Sequence, residues 1–465
     1  MVFSSLVFLC IFLPAVFLSY TLVPSKRVKN GILIVTSLLF YAYGEPVYVF
    51  LMIGSTIVNY FFGLLVEKGK KGRRLKLGAA VFLNLLLLGV FKYAGMAAET
   101  VNQLTGAGIP VPQIVLPVGI SFFTFQAMSY VIDVYRGQVD AQRSYWKVLL
   151  YISFFPQLIA GPIVKYYDIA LEIENRQQNL TEVAEGFRRF CIGLSKKVLI
   201  SNTVALAADA VFALPVSRVN ILTAWIGAIS YLLQIYYDFS GYSDMAIGLG
   251  KMFGFHFKEN FHYPYAARSI QDFWRRWHMS LSTWFKEYLY IPLGGNRKGK
   301  IRTCVNKMVV FFSTGLWHGA SWTFVVWGLY HGVFLMIESF LPKGKKAPAL
   351  LGHLYALLVV TVGFVLFRAD TLSQGLAMIA AMFTGFSFGE EMMSTAILQL
   401  TPLFLFMTAA GVICAAPWKE WLEKKGRKLL PMVESFSYPV SIAFLILCIL
   451  SLSGGTYNPF IYFRF

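Results

Sequence analysis

A histidine between tryptophans is the most distinctive chemical feature of this 465-residue sequence. His318 lies in the segment Trp317-His-Gly-Ala-Ser-Trp322, within a long and mainly apolar stretch. An ionisable side chain in such surroundings is costly and commonly marks a reaction site or a pathway. A neutral imidazole in a dry site can act as a general base, and we expect Trp317, Trp322 and Trp327 to exclude water from it. The alternative is a structural histidine that bonds a backbone carbonyl.

A second histidine, His278, ends the segment Asp272-Phe-Trp-Arg-Arg-Trp-His278. Ser269-Ile-Gln-Asp272 resembles a capping box, which predicts that a helix begins at Ile270. Pro292-Leu-Gly-Gly295 should end it. Apolar residues recur between these points at steps of three and four residues, at Trp274, Trp277, Leu281, Trp284 and Tyr288. This spacing predicts one interfacial or inward-packed helix with His278 at the border of its apolar face.

Two aspartates stand at the end of another apolar stretch. Asp238 and Asp244 belong to the segment Tyr236-Tyr-Asp-Phe-Ser-Gly-Tyr-Ser-Asp244, in which Ser240 and Asp244 could share a helix face. Buried carboxylates can line a substrate pathway. The alternative, which we favour, is that they satisfy backbone groups or pair with an arginine such as Arg275.

The remaining histidines and the cysteines give no metal-site pattern. His256 and His262 are separated by five residues in a predicted loop, which is a poor ligand spacing. The five cysteines are scattered, so neither zinc nor a disulfide framework is predicted. His331 lies in an apolar segment, where we expect a hydrogen bond between helices.

Composition indicates the elements that must hold these residues. Hydrophobic residues make up 57% of the chain and charged residues only 14%, which excludes an ordinary soluble domain and favours an all-α, multi-pass membrane protein. The net charge of +18 would suggest nucleic acid in a soluble protein. Here the cations form short clusters between apolar stretches, as cytoplasmic loops do under the positive-inside rule. The clusters are Lys26–Lys29, Lys68–Lys76, Arg188–Lys197, Arg297–Lys307, Lys343–Lys346 and Lys419–Lys428.

The stretch from Met308 to Leu341 is flanked by two such clusters and is too long for one crossing, so it predicts a helical hairpin with its turn near Gly315 to Gly319. His318 is ten helical steps, about 15 Å, after Met308, in a hydrocarbon core of about 30 Å. We therefore expect His318 close to the membrane midplane. The two glycines would let a substrate approach the backbone.

The two ends of the chain complete the predicted topology. The first 23 residues should be a retained span rather than a signal peptide, because basic residues follow them and no cleavage site is evident. Gly44-Glu-Pro46 breaks the next apolar stretch into a hairpin. Tyr438–Leu452 should cross outward, which leaves an aromatic tail, 454–465, outside. Residues 1–465 would form a single membrane domain.

The tail ends in Asn458-Pro-Phe-Ile-Tyr-Phe-Arg-Phe465. An interfacial anchor is one interpretation of such an aromatic cluster. The other is that Tyr462 accepts an acyl group, because a phenyl ester is more reactive than an alkyl ester and could pass the group on to a sugar hydroxyl.

Five segments in order resemble the membrane-bound O-acyltransferase family, and the resemblance extends over nearly the whole chain. The likeness is greatest to the bacterial branch that contains the alginate O-acetyltransferase membrane subunit. The segments are Pro117-Val-Gly-Ile-Ser-Phe-Phe-Thr-Phe-Gln126, Phe155-Pro-Gln-Leu-Ile-Ala-Gly-Pro162, Asp238-Phe-Ser-Gly-Tyr-Ser-Asp244, Asp272-Phe-Trp-Arg-Arg-Trp-His278 and Leu316-Trp-His-Gly319.

The resemblance implies a ring of tilted helices, with re-entrant or interfacial helices, around a thin core that a tunnel crosses. It implies that His318 is catalytic and that His278 is the second, more variable polar residue of the site. It also implies a cytoplasmic thioester donor, acetyl-CoA here, used as a substrate and not held as a cofactor. A companion protein of the related D-alanylation machinery ends in a similar F-x-Y tail, to which Phe460 and Tyr462 correspond. The candidate tunnel residues are Trp317, Trp322, Trp274, Asp238, Asp244 and Arg275.

The resulting hypothesis is a multi-pass enzyme of the bacterial cytoplasmic membrane. It would move an acetyl group across the lipid bilayer for O-acetylation of an extracytoplasmic polysaccharide, with a hydrolase-like extracytoplasmic partner and no nucleic acid. D-alanyl transfer to teichoic acid is the alternative within the family. A transporter or flippase would have inverted repeats, which are not visible. A non-catalytic scaffold for another acetyltransferase is the third alternative.

Overall fold

The protein is described by a computed structural model at residues 1–341, 348–426, 429–455 and 457–461. Contacts divide the chain into two compact units, one of Met1–Phe190 with Ser243–Lys258 and the other of Cys191–Tyr242 with Glu259–Phe465. Within the described residues every regular element is a helix, which confirms the all-α class. The single domain expected over 1–465 stays a prediction.

The first unit is built largely from apolar helices. The predicted break at residues 44–46 is present, between the second and third helices. π-helical turns at Phe8–Phe12 and Gly89–Tyr93 continue directly into α-helices. The helices are α1 (Leu13–Leu22), α2 (Lys26–Ala42), α3 (Tyr48–Val66), α4 (Arg73–Leu88), α5 (Ala94–Thr105), α6 (Ile120–Arg136), α7 (Tyr145–Ser153), α8 (Phe155–Leu158), α9 (Tyr166–Asn175) and α10 (Leu180–Ser195), whose last residues belong to the second unit.

The second unit holds both candidate histidines. π-helical turns at Lys196–Ser201 and Lys286–Tyr290 follow α10 and α14, and 3-10 turns lie at Val216–Arg218 and Pro264–Ala266. Its helices are α11 (Asn202–Phe212), α12 (Ile221–Met252, shared with the first unit), α13 (Ile270–Arg276), α14 (Met279–Phe285), α15 (Gly299–His318), α16 (Trp322–Phe340), α17 (Ala349–Arg368), α18 (Leu372–Thr384), α19 (Glu390–Leu398), α20 (Pro402–Cys414), α21 (Trp418–Lys425) and α22 (Leu430–Ser453).

Among the described residues, six helical stretches are long and apolar enough to cross a membrane, which confirms a multi-pass membrane protein. The bent pair α19 and α20 would make a seventh if it forms one span. The N-terminal helix Phe8–Leu22 is shorter than these. The six are Tyr48–Val66, Arg73–Thr105, Leu180–Phe212, Trp322–Phe340, Ala349–Arg368 and Leu430–Ser453.

One predicted cytoplasmic loop is wrong. The basic cluster Arg188–Lys197 lies within the continuous helical stretch Leu180–Phe212. Lys197 is only 2% exposed, because it pairs inside the protein and not with solvent. The cluster at Lys68–Lys76 does contain the break between α3 and α4. The cluster Lys343–Lys346 lies outside the described residues.

The predicted hairpin is present as α15 and α16, with its turn directly after His318. Glycines let the two helices approach closely: a Cβ added at Gly315 or Gly319 would meet Phe324, and one at Gly328 would meet the Phe311 carbonyl oxygen. Such contacts between small residues and backbone are typical of helix pairs in membranes. The expectation that Gly315 and Gly319 expose backbone to a substrate is therefore wrong, because both face α16.

Gly328→Ala should destabilise the protein by about 1–3 kcal/mol, because the new methyl group would overlap backbone atoms that cannot rotate away. Gly54→Ala in α3 is the matched control, since nothing lies within 4 Å of its added Cβ. Thermal unfolding of the detergent-purified variants measures the difference. Equal unfolding temperatures for the two variants would contradict this account of the hairpin.

Candidate functional site

His278 and His318 lie together inside the second unit. Their ring centroids are 6.4 Å apart, and the side chains are almost completely excluded from solvent, with residue exposures of 0% and 5%. His318 is the last residue of α15, and His278 directly precedes α14, in the two-residue break after α13. The two segments that the sequence singled out therefore form one site.

The helix predicted from Ile270 to Tyr290 is interrupted at His278. Its start is as expected, with the Ser269 hydroxyl accepting a hydrogen bond from the Asp272 N–H at 3.0 Å. His278 then adopts the left-handed conformation, with φ of 43°. A non-glycine residue in this region is strained, and such strain is common at functional sites. The prediction of one continuous helix is therefore wrong, because the left-handed residue separates α13 from α14. The expected position of His278 at the border of an apolar face is also wrong, since the side chain is fully buried.

Asn260 holds the His278 ring in one tautomer. The Asn260 Oδ1 atom accepts the Ser280 backbone N–H at 3.1 Å, which identifies that atom as the oxygen. It also lies 3.2 Å from His278 Nδ1, so Nδ1 must carry the proton. His278 Nε2 is then the atom with a free lone pair. It is buried and has no hydrogen-bond partner among the residues that the structure describes.

The charge state of His278 follows from its surroundings. The residue lies outside the candidate membrane spans. Burial lowers the pKa of its imidazole to about 3. The ring is therefore neutral at physiological pH, and Nε2 can accept a hydrogen bond or a proton from a bound group.

Aromatic rings surround His318. The ring centroids of Trp317, Trp327 and Phe367 lie 5.0, 5.1 and 5.2 Å from its imidazole. Two of the three expected tryptophans are therefore in place to exclude water. Trp322 is 50% exposed at the start of α16, so its expected place beside His318 is wrong. The register of the hairpin explains this, because the turn ends at Ser321 and Trp322 begins the returning helix.

Another histidine, His331, is completely buried among aromatic rings, including those of Trp274 and Trp327. Its two ring nitrogens have no hydrogen-bond partner within the described ranges. The expected hydrogen bond between helices is therefore wrong. His331 Nε2 lies against Gly363 of α17, where an added Cβ would be 2.8 Å away.

Two cavities lie in this part of the protein, and the smaller one is lined by His318. The smaller is about 10 Å³, roughly the space of one water molecule, and is lined by His318, Trp277 and Phe239, among others. Phe239 also contacts the His278 ring, with centroids 4.7 Å apart. Phe239, from α12, therefore links the two histidines.

The larger cavity, of about 230 Å³, has mainly apolar walls and three cations. Arg275, Lys286 and Lys307 line it, together with Trp274. Thr314, which also lines it, is one helical turn before His318 in α15. The cavity wall therefore includes three cations and a residue that is close to His318 in the same helix. Two of the candidate tunnel residues, Trp274 and Arg275, lie here.

The two candidate aspartates have different partners. Asp238 forms a buried ion pair with Lys197 at 2.8 Å, in the second unit. Asp244 pairs with Arg189 at 2.8 Å, in the first unit. Pairing with a cation is therefore the observed arrangement for both. The partner suggested from sequence, Arg275, is wrong for Asp238, because Lys197 occupies that position.

The described part of the C-terminal tail, 457–461, is bound within the second unit. The Ile461 N–H donates to Asp238 Oδ2 at 2.7 Å, and the Lys197 ammonium donates to the Pro459 carbonyl oxygen. Phe460 stacks on Tyr242 with ring centroids 4.5 Å apart. Phe460 and Ile461 are 5% and 6% exposed, so this part of the tail is not an interfacial anchor. Tyr462, the candidate acyl acceptor, lies outside the described residues.

Sequence reasoning missed three polar residues of the site: Lys197, Asn202 and Asn260. Lys197 was assigned to a loop, although the apolar residues Val198, Leu199 and Ile200 that follow it could have indicated a helix. Asn260 is far from His278 along the chain and lies in an irregular segment, so no periodic pattern marks it. Only the fold brings these residues together.

Several known acyltransferases are similar in sequence to this chain. The model of the membrane-bound O-acyltransferase family matches residues 138–373, which include both histidines and Asp238. A probable alginate O-acetylase AlgI of Pseudomonas putida is 39% identical over the whole of both chains. The peptidoglycan O-acetyltransferase of Helicobacter pylori is 36% identical over 82% of this chain and 80% of that protein. The teichoic acid D-alanyltransferase of Bacillus subtilis is 30% identical over 49% of this chain and 60% of that protein. This chain belongs to the membrane-bound O-acyltransferase family and is a multi-pass membrane O-acyltransferase.

Proposed function

We propose that this protein transfers an acetyl group from acetyl-CoA, at the cytoplasmic side of a bacterial cytoplasmic membrane, for O-acetylation of an extracytoplasmic polysaccharide. One observation carries the proposal: the two buried histidines lie together, Thr314 of a cationic cavity is one helical turn before His318, and Asp238, next to the Phe239 that contacts His278, binds the C-terminal tail. The relatives named for alginate and peptidoglycan O-acetylation support acetyl as the group and a polysaccharide as the acceptor.

The larger cavity suits an anionic thioester donor. Arg275, Lys286 and Lys307 can meet the phosphates of coenzyme A, while the apolar walls can hold its pantetheine arm. The basic segment Arg297–Lys307 continues from the cavity into a region that the positive-inside rule assigns to the cytoplasm. The thioester group would lie at the part of the cavity lined by Thr314, which is one helical turn before His318.

His318 is proposed as the general base, and the Tyr462 phenol as the first acceptor. The phenol oxygen attacks the thioester carbonyl carbon as His318 takes the phenol proton. The tetrahedral intermediate then collapses, the carbon–sulfur bond breaks, and the imidazolium returns the proton to the departing thiolate. The products are coenzyme A and an acetyl-tyrosine ester.

His278 has a different proposed role. Because its Nδ1 proton is held by Asn260, its Nε2 can only accept a hydrogen bond. It would orient the thioester by accepting a hydrogen bond from an N–H of the pantetheine arm, because the single proton of the phenol is removed by His318. Asn260 acts through His278 and is a positioning residue.

The acetyl group must leave the tail on the extracytoplasmic side. A nucleophile of a hydrolase-like partner would take it from the tyrosine ester, which restores the phenol, and pass it to a sugar hydroxyl. The C-terminus is accordingly proposed to be extracytoplasmic. D-alanyl transfer is the second candidate, because the D-alanyltransferase of Bacillus subtilis is also a relative, although it aligns with less of this chain.

Purified protein incubated with radiolabelled acetyl-CoA should release coenzyme A and carry label on its C-terminal peptide. His318→Ala should abolish both, because the base is lost. The protein should stay folded, because the smaller alanine fits the space without overlap. Tyr462→Phe should abolish the labelled peptide and reduce coenzyme A release to slow hydrolysis by water, because the acceptor hydroxyl is missing. A labelled tail in His318→Ala, or label retained in Tyr462→Phe, would refute these roles. A D-alanyl thioester in parallel distinguishes the two donors.

Replacing Arg275 and Lys286 with Gln should raise KM for acetyl-CoA by about tenfold, because charge-assisted bonds to phosphate are lost. The same variants should use a short acetyl thioester without phosphates as well as the wild type does. Lys300→Gln, at the exposed start of α15, is the control for general loss of positive charge. An unchanged KM for acetyl-CoA would exclude this cavity as the donor site.

Asn260→Asp should make acetyl transfer sensitive to acid. A carboxylate beside Nδ1 raises the pKa of His278 from about 3, so the ring becomes protonated at a pH where the wild-type ring is neutral. Protonation removes the Nε2 lone pair, and activity should therefore fall as pH decreases toward the raised pKa. Ser280→Ala, which removes another partner of Asn260 without adding charge, is the control. Identical pH–rate profiles for Asn260→Asp and wild type would contradict the role of His278.

A further inference from the structure

We propose that Lys197, Asp238 and Asn202 form a binding site for the backbone of the chain's own C-terminal segment, 458–461, and act as positioning residues for acyl transfer to Tyr462. The transfer step rests on the proposed function, whereas the binding site stands on the contacts alone. The three residues are named here as the tail dock.

The side chains of the tail dock bind mainly to backbone atoms of the tail. Asp238 Oδ2 accepts the Ile461 N–H at 2.7 Å, and the Lys197 ammonium donates to the Pro459 carbonyl oxygen. One side-chain contact adds to these: Asn202 Nδ2 donates to Asn458 Oδ1 at 3.2 Å. The two main-chain bonds are charge-assisted and are therefore stronger than bonds between neutral groups.

Burial explains why the tail dock favours an occupied state. The side chains of Lys197 and Asp238 are 3% and 2% exposed. A buried ion pair is unfavourable unless further hydrogen bonds satisfy the remaining donors and acceptors. Asn202 Oδ1 accepts one Lys197 proton at 2.8 Å, and the tail supplies a carbonyl for the ammonium and an N–H for the carboxylate. The tail thus completes the hydrogen bonding of a charged pair that has no solvent.

Two features of the local fold bring Lys197 close to Asp238. Lys197 lies in the π-helical turn Lys196–Ser201, an irregularity that is frequent at functional sites. Gly241, one turn after Asp238 in α12, lets this segment approach, because a Cβ there would lie 2.6 Å from the Gly193 carbonyl oxygen. A larger residue at Gly241 would push Lys197 away from Asp238.

The tail dock adjoins the catalytic histidines through α12. Asp238 binds the tail, and the next residue, Phe239, contacts His278 and lines the small cavity at His318. Ile461 belongs to the same buried hydrophobic cluster as Trp277 and Phe367. Tyr462 directly follows Ile461 in the sequence.

The first test measures acetylation of Tyr462 in variants of the tail, which alter no residue of the tail dock. Ile461→Pro removes the N–H that Asp238 accepts, and Ile461→Val keeps it. In the full-length protein, Ile461→Pro should lower the acetylated fraction of Tyr462 by about tenfold, as expected for a lost charge-assisted bond, while Ile461→Val behaves as wild type. Hydrolysis of acetyl-CoA by water, which releases coenzyme A and acetate without tail acetylation, should rise in Ile461→Pro, a shift in partition that a merely structural role would not produce.

A second measurement concerns binding alone. Hydrogen–deuterium exchange of the C-terminal peptide, in nanodiscs and without any acyl donor, should be faster in Asp238→Asn and in Asn458→Ala than in wild type. The surface pair Lys147–Glu174 supplies the control, Glu174→Gln, which should leave the exchange unchanged.

The two measurements separate the two hypotheses. Wild-type acetylation in Ile461→Pro, or unchanged exchange in Asp238→Asn and Asn458→Ala, would overturn the tail dock. If exchange responds as expected but no variant, including wild type, ever carries acetyl on Tyr462, the tail dock is supported and the tyrosine relay is refuted.

Discussion

Removing the His278 imidazole from water requires an acceptor for its Nδ1 proton, and Asn260 is that acceptor. This contact depends on the left-handed conformation of His278, which separates α13 from α14. It also depends on Ser280, whose backbone N–H holds the Asn260 oxygen in place. Because the proton is fixed on one nitrogen, the other presents a lone pair in a dry site. The direction in which this site can accept hydrogen bonds is therefore set by the fold before any substrate enters.

The same requirement organises the rest of the second unit. Each buried polar group of the tail dock finds its partner on another part of the chain, since lipid and aromatic walls offer none. Apolar contacts bring the helices together, through glycines such as Gly315 and Gly328 where backbones must approach. The charged and polar groups then select one arrangement of the packed helices, because in any other arrangement the ion pair would be buried without its hydrogen bonds.

Much of this could be predicted from the sequence, and the failures have physical reasons. Hydrophobic length and flanking charge predicted the hairpin whose first helix ends at His318, and the capping pattern predicted the start of α13. The break at His278 could not be predicted, because helical periodicity continues across it and only Asn260, far along the chain, explains it. The charge rule assigned Lys197 to a loop, since a buried partner such as Asp238 is invisible in a local pattern. The depth of His318 in the membrane stays a prediction, because α15 begins at Gly299, nine residues before the apolar stretch used to judge it.

The tail that reaches Asp238 is covalently part of the enzyme, and this has a kinetic consequence. An acceptor on the same chain reaches the site at an effective concentration that is set by the tether and not by the amount of protein present. In the proposed mechanism each molecule carries one such acceptor, Tyr462, so the first transfer is unimolecular and self-limited. Every later cycle of that mechanism must wait until the ester is removed, so the steady rate of turnover would be controlled by the partner that removes the acetyl group.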